Sequence, residues 1–67
     1  MQVKGLLHVE RARQRMTMQE IADGAGISRS TVWRIENGGI EVASFGTVVR
    51  IAKSLGCEVT DLYEVEQ

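Results

Sequence analysis

The segment from Thr17 to Gly39 carries two helix-start signals and two groups of helix-ending glycines, so it has room only for short helices joined by tight turns. Thr17 and Glu20 have the capping-box spacing, in which a hydroxyl and a carboxylate satisfy free amides at the start of a helix. Ser28 supplies a second N-cap. Glycine adopts a left-handed conformation without strain, so we expect Gly24 and Gly26 to end the first of these helices.

The spacing of apolar residues predicts the helices on either side. Their apolar positions recur on one face, as in an amphipathic helix. The predicted helices are helix one from Val3 to Met16, helix two behind Thr17 (Met18, Ile21, Ala22, Ala25 inward), helix three behind Ser28 (Val32, Ile35 inward) and ending at Asn37–Gly39, and helix four from the cap Ser44 to Gly56 (Phe45, Val48, Val49, Ile51, Ala52, Leu55 inward).

The end of the chain fits two structures. Val59, Leu62 and Tyr63 have the spacing of a short fifth helix, whereas the residues from Tyr63 to Glu66 alternate as a strand does. As a strand, residues Tyr63 to Val65 would pair with the N-terminal residues Met1 to Val3 in a small sheet. We therefore expect an all-α, five-helix domain over residues 1–67, with a short terminal β-ribbon as the variant.

The residue inventory argues against an enzyme, a metal protein or a membrane protein. Cys57 has no second cysteine to pair with, and His8 is the only histidine, which is too few ligands for zinc. No carboxylate pair or phosphate-binding glycine loop is present, so we expect no catalysis, metal or cofactor. No apolar run approaches the roughly 20 residues of a membrane span, and the N-terminus lacks a signal peptide pattern, so a cytoplasmic location is expected.

The charge is distributed unevenly along the chain. The formal net charge is −1, yet all eight Lys and Arg lie in residues 1–57 against five acids, which gives this part +3. The last ten residues carry four acids and no base, and therefore −4. A basic surface and an acidic tail are thus compatible with binding a polyanion such as DNA.

The outer face of helix three carries the candidate chemistry. With Val32 and Ile35 directed inward, the opposite side presents four residues at helical spacing: Arg29, Ser30, Trp33 and Arg34. Arginine has a planar fork that matches the O6 and N7 acceptors of guanine in the major groove. A solvated helix face explains two arginines equally well. Trp33 either contacts DNA sugar and base methyls or a partner subunit, or belongs to the core if the helix is rotated.

A family resemblance covers about residues 7 to 64. The run MTMQEIADGAGISRSTVWRIENG resembles the helix-turn-helix of the Xre or lambda-repressor-like (Cro-type) DNA-binding family, and SFGTVVRIAKSLGCEVTDLYE resembles its fourth and fifth helices. The helix-turn-helix unit then spans about residues 17–37. The resemblance implies a bacterial or phage transcription regulator, repressor-like, that binds double-stranded DNA.

The resemblance also implies roles for individual residues. Base contacts are expected from Ser28, Arg29, Ser30 and Arg34, to which the sequence adds Trp33; phosphate contacts are expected from Thr17, Met18 and Asn37, and from Gln19 because the family often has glutamine at the place of its neighbour Met18. Arg11 and Glu36 match a pair that forms an internal salt bridge in some relatives. Glu10 departs from the pattern, because the family usually places an apolar residue there.

The expected working unit is a homodimer on a palindromic operator, read by helix three. We expect dimerisation through Leu62, Tyr63 and Val65, which follow helix four as apolar residues outside the predicted core. The alternative is a protein-interaction module of the same fold, such as an antitoxin or coactivator, that uses its acidic tail to bind another protein.

Overall fold

Four α-helices and a two-stranded sheet make up the computed structural model, which describes residues 1–67. The elements are, in chain order, β1 (Gln2–Gly5), α1 (Leu7–Gln14), α2 (Met18–Ala25), α3 (Arg29–Gly38), α4 (Phe45–Leu55) and β2 (Tyr63–Glu66), with one-turn 3-10 segments at Ile40–Val42 and Val59–Asp61. The mostly helical prediction is confirmed, and the count of five helices is wrong. No helix is long and apolar enough to cross a membrane.

The N-terminal residues are a strand and not the start of helix one. β1 pairs antiparallel with β2, with Val3 opposite Val65 and Gly5 opposite Tyr63, so the small terminal sheet that we expected is present. Exposure alternates along β1, and its half-buried residues Val3 and Gly5 face inward. Gly5 lies close to the next layer, because a Cβ there would stand 3.3 Å from the backbone nitrogen of Ile40. The absence of a side chain at Gly5 permits this close approach, and the pairing with β2 holds the segment extended.

The C-terminal segment also resolves as a strand. After α4 the chain makes only the single turn Val59–Asp61, which begins with the Glu58 amide donating to Asp61 Oδ2 at 2.9 Å. Leu62 then enters the core and is 0% exposed. Its carbonyl accepts a hydrogen bond of 2.8 Å from the Leu6 amide, which holds the start of β2 against the start of α1.

The buried side chains form one cluster, to which all four helices contribute. Its members are Leu7, Ile21, Ala22, Ala25, Val32, Ile35, Ile40, Val48, Ile51, Ala52, Leu55 and Leu62. Phe45, which we expected in the apolar stripe of helix four, is 75% exposed. It is the first residue after the cap Ser44, and the buried residues of α4 begin at Val48. Val49, which we also expected to face inward, is half-buried and lies outside the core cluster.

The contact between α2 and α4 depends on a glycine whose role differs from the one we predicted. Gly24 lies inside α2, and the helix ends at Gly26, which has the left-handed φ of 68°. A Cβ on Gly24 would stand 2.4 Å from Ser54 Oγ in α4. The small residue therefore permits a close approach between α2 and α4.

Candidate nucleic-acid interface

The start of α2 is a completed capping box. Thr17 Oγ1 accepts from the Glu20 amide at 3.1 Å, and Glu20 Oε1 accepts from the Thr17 amide at 2.9 Å. The amides of Met18 and Gln19 in the first turn have no acceptor within the chain. Free first-turn amides at the positive end of a helix dipole favour an anionic group such as phosphate. The side chain of Gln19 bonds to Asp23 Oδ1 at 2.9 Å.

The turn between α2 and α3 fixes how the second helix leaves the first. Gly26 and Ile27 both donate backbone hydrogen bonds to the Ala22 carbonyl, and Ile27 packs against the core. Ser28 then caps α3: its hydroxyl accepts from the Thr31 amide at 3.1 Å and lies 2.8 Å from Thr31 Oγ1. In the free chain the Ser28 hydroxyl is thus engaged in the cap.

The outer face of α3 is exposed as a continuous polar surface. Val32 and Ile35 are buried on the inner side, whereas the opposite side presents Arg29, Ser30, Trp33, Arg34 and Asn37 to solvent. Trp33 is 57% exposed and is therefore not a core residue. The Asn37 side-chain amide donates to the Trp33 carbonyl at 2.9 Å, which fastens it to the last turns of the same helix.

A shallow concavity of about 320 Å³ lies where the two helices meet on this outer face. Four residues line it: Met18 from the first turn of α2, and Arg29, Ser30 and Trp33 from α3. Met18 is half-buried, so its side chain forms a fixed wall. The concavity thus has two apolar walls and two polar ones.

The arginines of this region differ in whether an acid neutralises them. The two ion pairs of the chain are Arg11 with Glu36 and Arg13 with Glu10. Arg29 and Arg34 therefore carry uncompensated charge on the exposed face of α3. Uncompensated arginine on a convex helix face attracts polyanions and has its fork free for bidentate hydrogen bonds.

The pair Arg11–Glu36 ties helix α3 to the rest of the fold. Arg11 Nε donates to Glu36 Oε1 at 2.7 Å, and another nitrogen of the same guanidinium donates to the Met16 carbonyl at 3.2 Å. The side chains of Arg11 and Glu36 are 27% and 4% exposed. This contact connects α1, the turn before α2 and the last turns of α3, and so fixes the orientation of α3.

Glu10 is a buried acid at a position where the resemblance leads us to expect an apolar residue. It forms a 3.0 Å ion pair with Arg13, which reaches it from one helical turn further along.

Burial raises the pKa of the Cys57 thiol, and the carboxylates of Glu10, Asp61 and Glu58 raise that pKa further. The thiol is therefore protonated at neutral pH and is a poor nucleophile.

The residues expected to mediate dimerisation lie in different environments. Leu62 is fully buried in the core of the single chain, so we leave it out of the proposed contact surface. Tyr63 is half-buried and Val65 is 43% exposed. Beside them lies an apolar groove of about 330 Å³ with Glu41 as its one charged residue; the others are Val3, Ile40, Ala43, Phe45, Val48, Val59 and Tyr63. The position of Phe45 fits a core stripe in the sequence, so no sequence signal indicated that it lines a surface groove.

Comparison with known proteins identifies the family of this arrangement. The family model described as Cro/C1-type HTH DNA-binding domain matches residues 7–67. The match includes both helices of the candidate interface and the segment that ends in β2. Comparison with curated proteins gives no match.

Proposed function

The chain belongs to the Cro/C1-type HTH DNA-binding domain family, and we propose that it is a repressor-like transcription regulator that reads a palindromic operator as a homodimer. The proposal that α3 recognises DNA bases rests on one observation. Two arginines without an acidic partner lie on its exposed face, beside the only tryptophan of the chain. A helix of this kind fits the major groove, where base pairs present distinct donor and acceptor patterns.

Base recognition is assigned to four side chains on α3. Arg29 and Arg34 present free forks for guanine, and the Ser30 hydroxyl can donate to or accept from several base edges. Trp33, which lies among these side chains, contacts the deoxyribose rings and the methyl groups of bases. Ser28 stands at the edge of this group, and its hydroxyl has to retain the cap while it approaches the DNA.

Phosphate contacts position α3 on the duplex. We assign them to the start of α2, where the free amides of Met18 and Gln19 lie beside Thr17, and to Asn37 at the far end of α3. Such contacts supply much of the affinity and make it sensitive to salt, whereas the base contacts discriminate between sequences.

Replacing either arginine of α3 tests the assignment of base contacts. We expect Arg34→Ala or Arg29→Ala to weaken binding to the operator by roughly 1 to 3 kcal/mol and to relax the preference at one or two base pairs per half-site, because a bidentate contact to guanine is lost. The measurement is a titration against operator and scrambled duplexes. Equal weakening on both duplexes would show that these arginines contact phosphate instead.

The dimer is proposed to form across the apolar groove beside the terminal sheet. Phe45 projects from the rim of the groove, and Val65 lies on the same face of the sheet as Val3, which lines it. A two-fold axis would let each Phe45 contact the groove of the other copy, since such an interface is self-complementary. A symmetric dimer places the two recognition helices about 34 Å apart, and so predicts half-sites about 10 base pairs apart.

Serine substitutions in the groove test this interface. Phe45→Ser and Val65→Ser should each lower the self-association constant about tenfold or more, because an exposed apolar side chain is buried twice in a symmetric dimer. Sedimentation velocity over a range of concentrations measures the change. Val9→Ser is the matched control, since Val9 is an exposed valine of α1 that does not line the groove. A wild-type chain that sediments as a monomer and protects one asymmetric half-site would contradict the dimer.

A salt-dependent gel shift with genomic fragments separates this proposal from the protein-interaction alternative. A regulator retains a subset of fragments as salt rises, since its base contacts survive the loss of phosphate attraction. An antitoxin or coactivator that uses this fold only to bind protein would show equal affinity for all fragments, or none.

A further inference from the structure

The concavity between Met18 and Trp33 has an apolar lining that the proposed arginine contacts to DNA do not explain. It lies on the proposed DNA-binding face, yet two of its four lining residues, Met18 and Trp33, are apolar. Trp33 stands one turn beyond Arg29 at a spacing of four residues, and Ser30 stands three residues before it, so all three share one stripe of α3. Met18 closes the stripe from the side of α2.

The apolar and the polar residues of the concavity each match a chemical group that bases expose in the major groove. The apolar group that a base exposes there is the 5-methyl group of a pyrimidine, and thymine carries it beside an O4 acceptor. Met18 and Trp33 offer apolar surface for such a methyl group. Ser30 and Arg29 offer donors for the adjacent oxygen or for a neighbouring guanine. The concavity of about 320 Å³ is wide enough for a methyl group together with the ring edge that carries it.

We infer that the Met18–Trp33 concavity reads the 5-methyl group of one pyrimidine in each half-site, from either thymine or 5-methylcytosine. The inference rests on the proposed function, because it requires α3 to lie in the major groove. It adds a specificity determinant that senses a methyl group and not a hydrogen-bonding pattern. Binding should therefore respond to cytosine methylation wherever a cytosine occupies the position of this pyrimidine.

Duplexes that differ by single methyl groups test the inference. Starting from a duplex that the wild-type chain binds selectively, each thymine is replaced by uracil and, in a second series, each cytosine by 5-methylcytosine. Burying one methyl group contributes about fourfold in affinity. We expect either a loss of about that size at one thymine per half-site or a gain of that size at one cytosine, and the series in which it appears identifies the source of the methyl group.

The variant Trp33→Ala connects that effect to the concavity. Trp33 is exposed and contributes nothing to the core, so this variant should fold, which its circular dichroism spectrum checks. Its affinity for the duplex should fall, because Trp33 is one of the proposed base contacts, and the affinity ratio between duplexes with and without the methyl group should drop from about fourfold to below about twofold. Val9→Ala, which alters an exposed apolar residue of α1 outside both the concavity and the apolar groove, should retain the full effect.

Two results would overturn the inference while leaving the proposed function intact. One is selective binding with no response to any added or removed methyl group. The other is a methyl effect of equal size in wild type and Trp33→Ala. Failure of the wild-type chain to prefer any duplex would instead refute the proposed function, and this inference with it.

Discussion

Arg11→Met is expected to lower the free energy of unfolding by about 3 to 5 kcal/mol, because it leaves the Glu36 carboxylate buried without a cation. Glu36 is 4% exposed, and its hydrogen bond from Arg11 Nε is 2.7 Å long. Glu36→Leu should cost less, about 1 to 3 kcal/mol, since the Arg11 side chain that remains is 27% exposed and can be hydrated. Urea unfolding followed by circular dichroism measures both changes.

The double variant Arg11→Met with Glu36→Leu is the control for this pair. Replacing both partners with apolar side chains removes the stranded charge, so the double variant should be more stable than Arg11→Met alone. That comparison stays informative even if Arg11→Met unfolds at room temperature. Losses from the two single changes that simply add in the double variant would show that the side chains do not interact.

Leu62→Ala is expected to destabilise the monomer by about 2 to 5 kcal/mol, because it opens a cavity among fully buried side chains. The same change would remove the anchor that brings β2 alongside β1. Because the Leu62 side chain packs inside one chain, the loss of stability should persist at protein concentrations too low for dimers, where an interface substitution has no effect. Thermal unfolding at several concentrations makes the measurement.

Val65→Ala, in the strand β2 that follows Leu62, is the matched comparison. Val65 is 43% exposed and lies three residues beyond Leu62, so we expect a stability change below about 0.5 kcal/mol in the monomer. A small effect of Leu62→Ala together with a large one of Val65→Ala would reverse the assignment of the two side chains. Deleting the chain from Leu62 onward tests nothing about dimerisation, because it removes a core residue.

The central helices could be predicted from sequence because their ends are determined locally. The caps at Thr17, Ser28 and Ser44 hydrogen-bond within three residues of themselves, and the observed cap bonds are the ones that the spacing predicts. Gly26 and Gly56 end α2 and α4 with left-handed backbone, which few other residues adopt. These signals do not depend on the rest of the fold.

The terminal sheet required information that no local pattern contains. Val3 fits the apolar side of a helix as well as an inward strand position, and its partner Val65 lies at the other end of the chain. The same limit applies to Gly24, whose small size matters because of Ser54 in a different helix. The exposure of Phe45 depends on how α4 is rotated against the core, which the width of its apolar stripe leaves open.

The outer face of α3 was predictable as a surface, while its finer geometry was not. The inward positions Val32 and Ile35 determine which residues point outward. Met18 and Trp33 line one concavity only because of the angle between α2 and α3. The turn at Gly26 and the Arg11–Glu36 contact establish that angle.

Selection of bound duplexes from a random DNA pool, run in parallel with wild type and Arg34→Ala, tests the central claim most directly. The account predicts that wild type enriches a two-fold symmetric site, and that Arg34→Ala enriches the same site with the preference lost at one or two symmetry-related positions. Enrichment of no sequence by wild type, or of an identical site by both proteins, would contradict the claim that α3 reads DNA through this side chain.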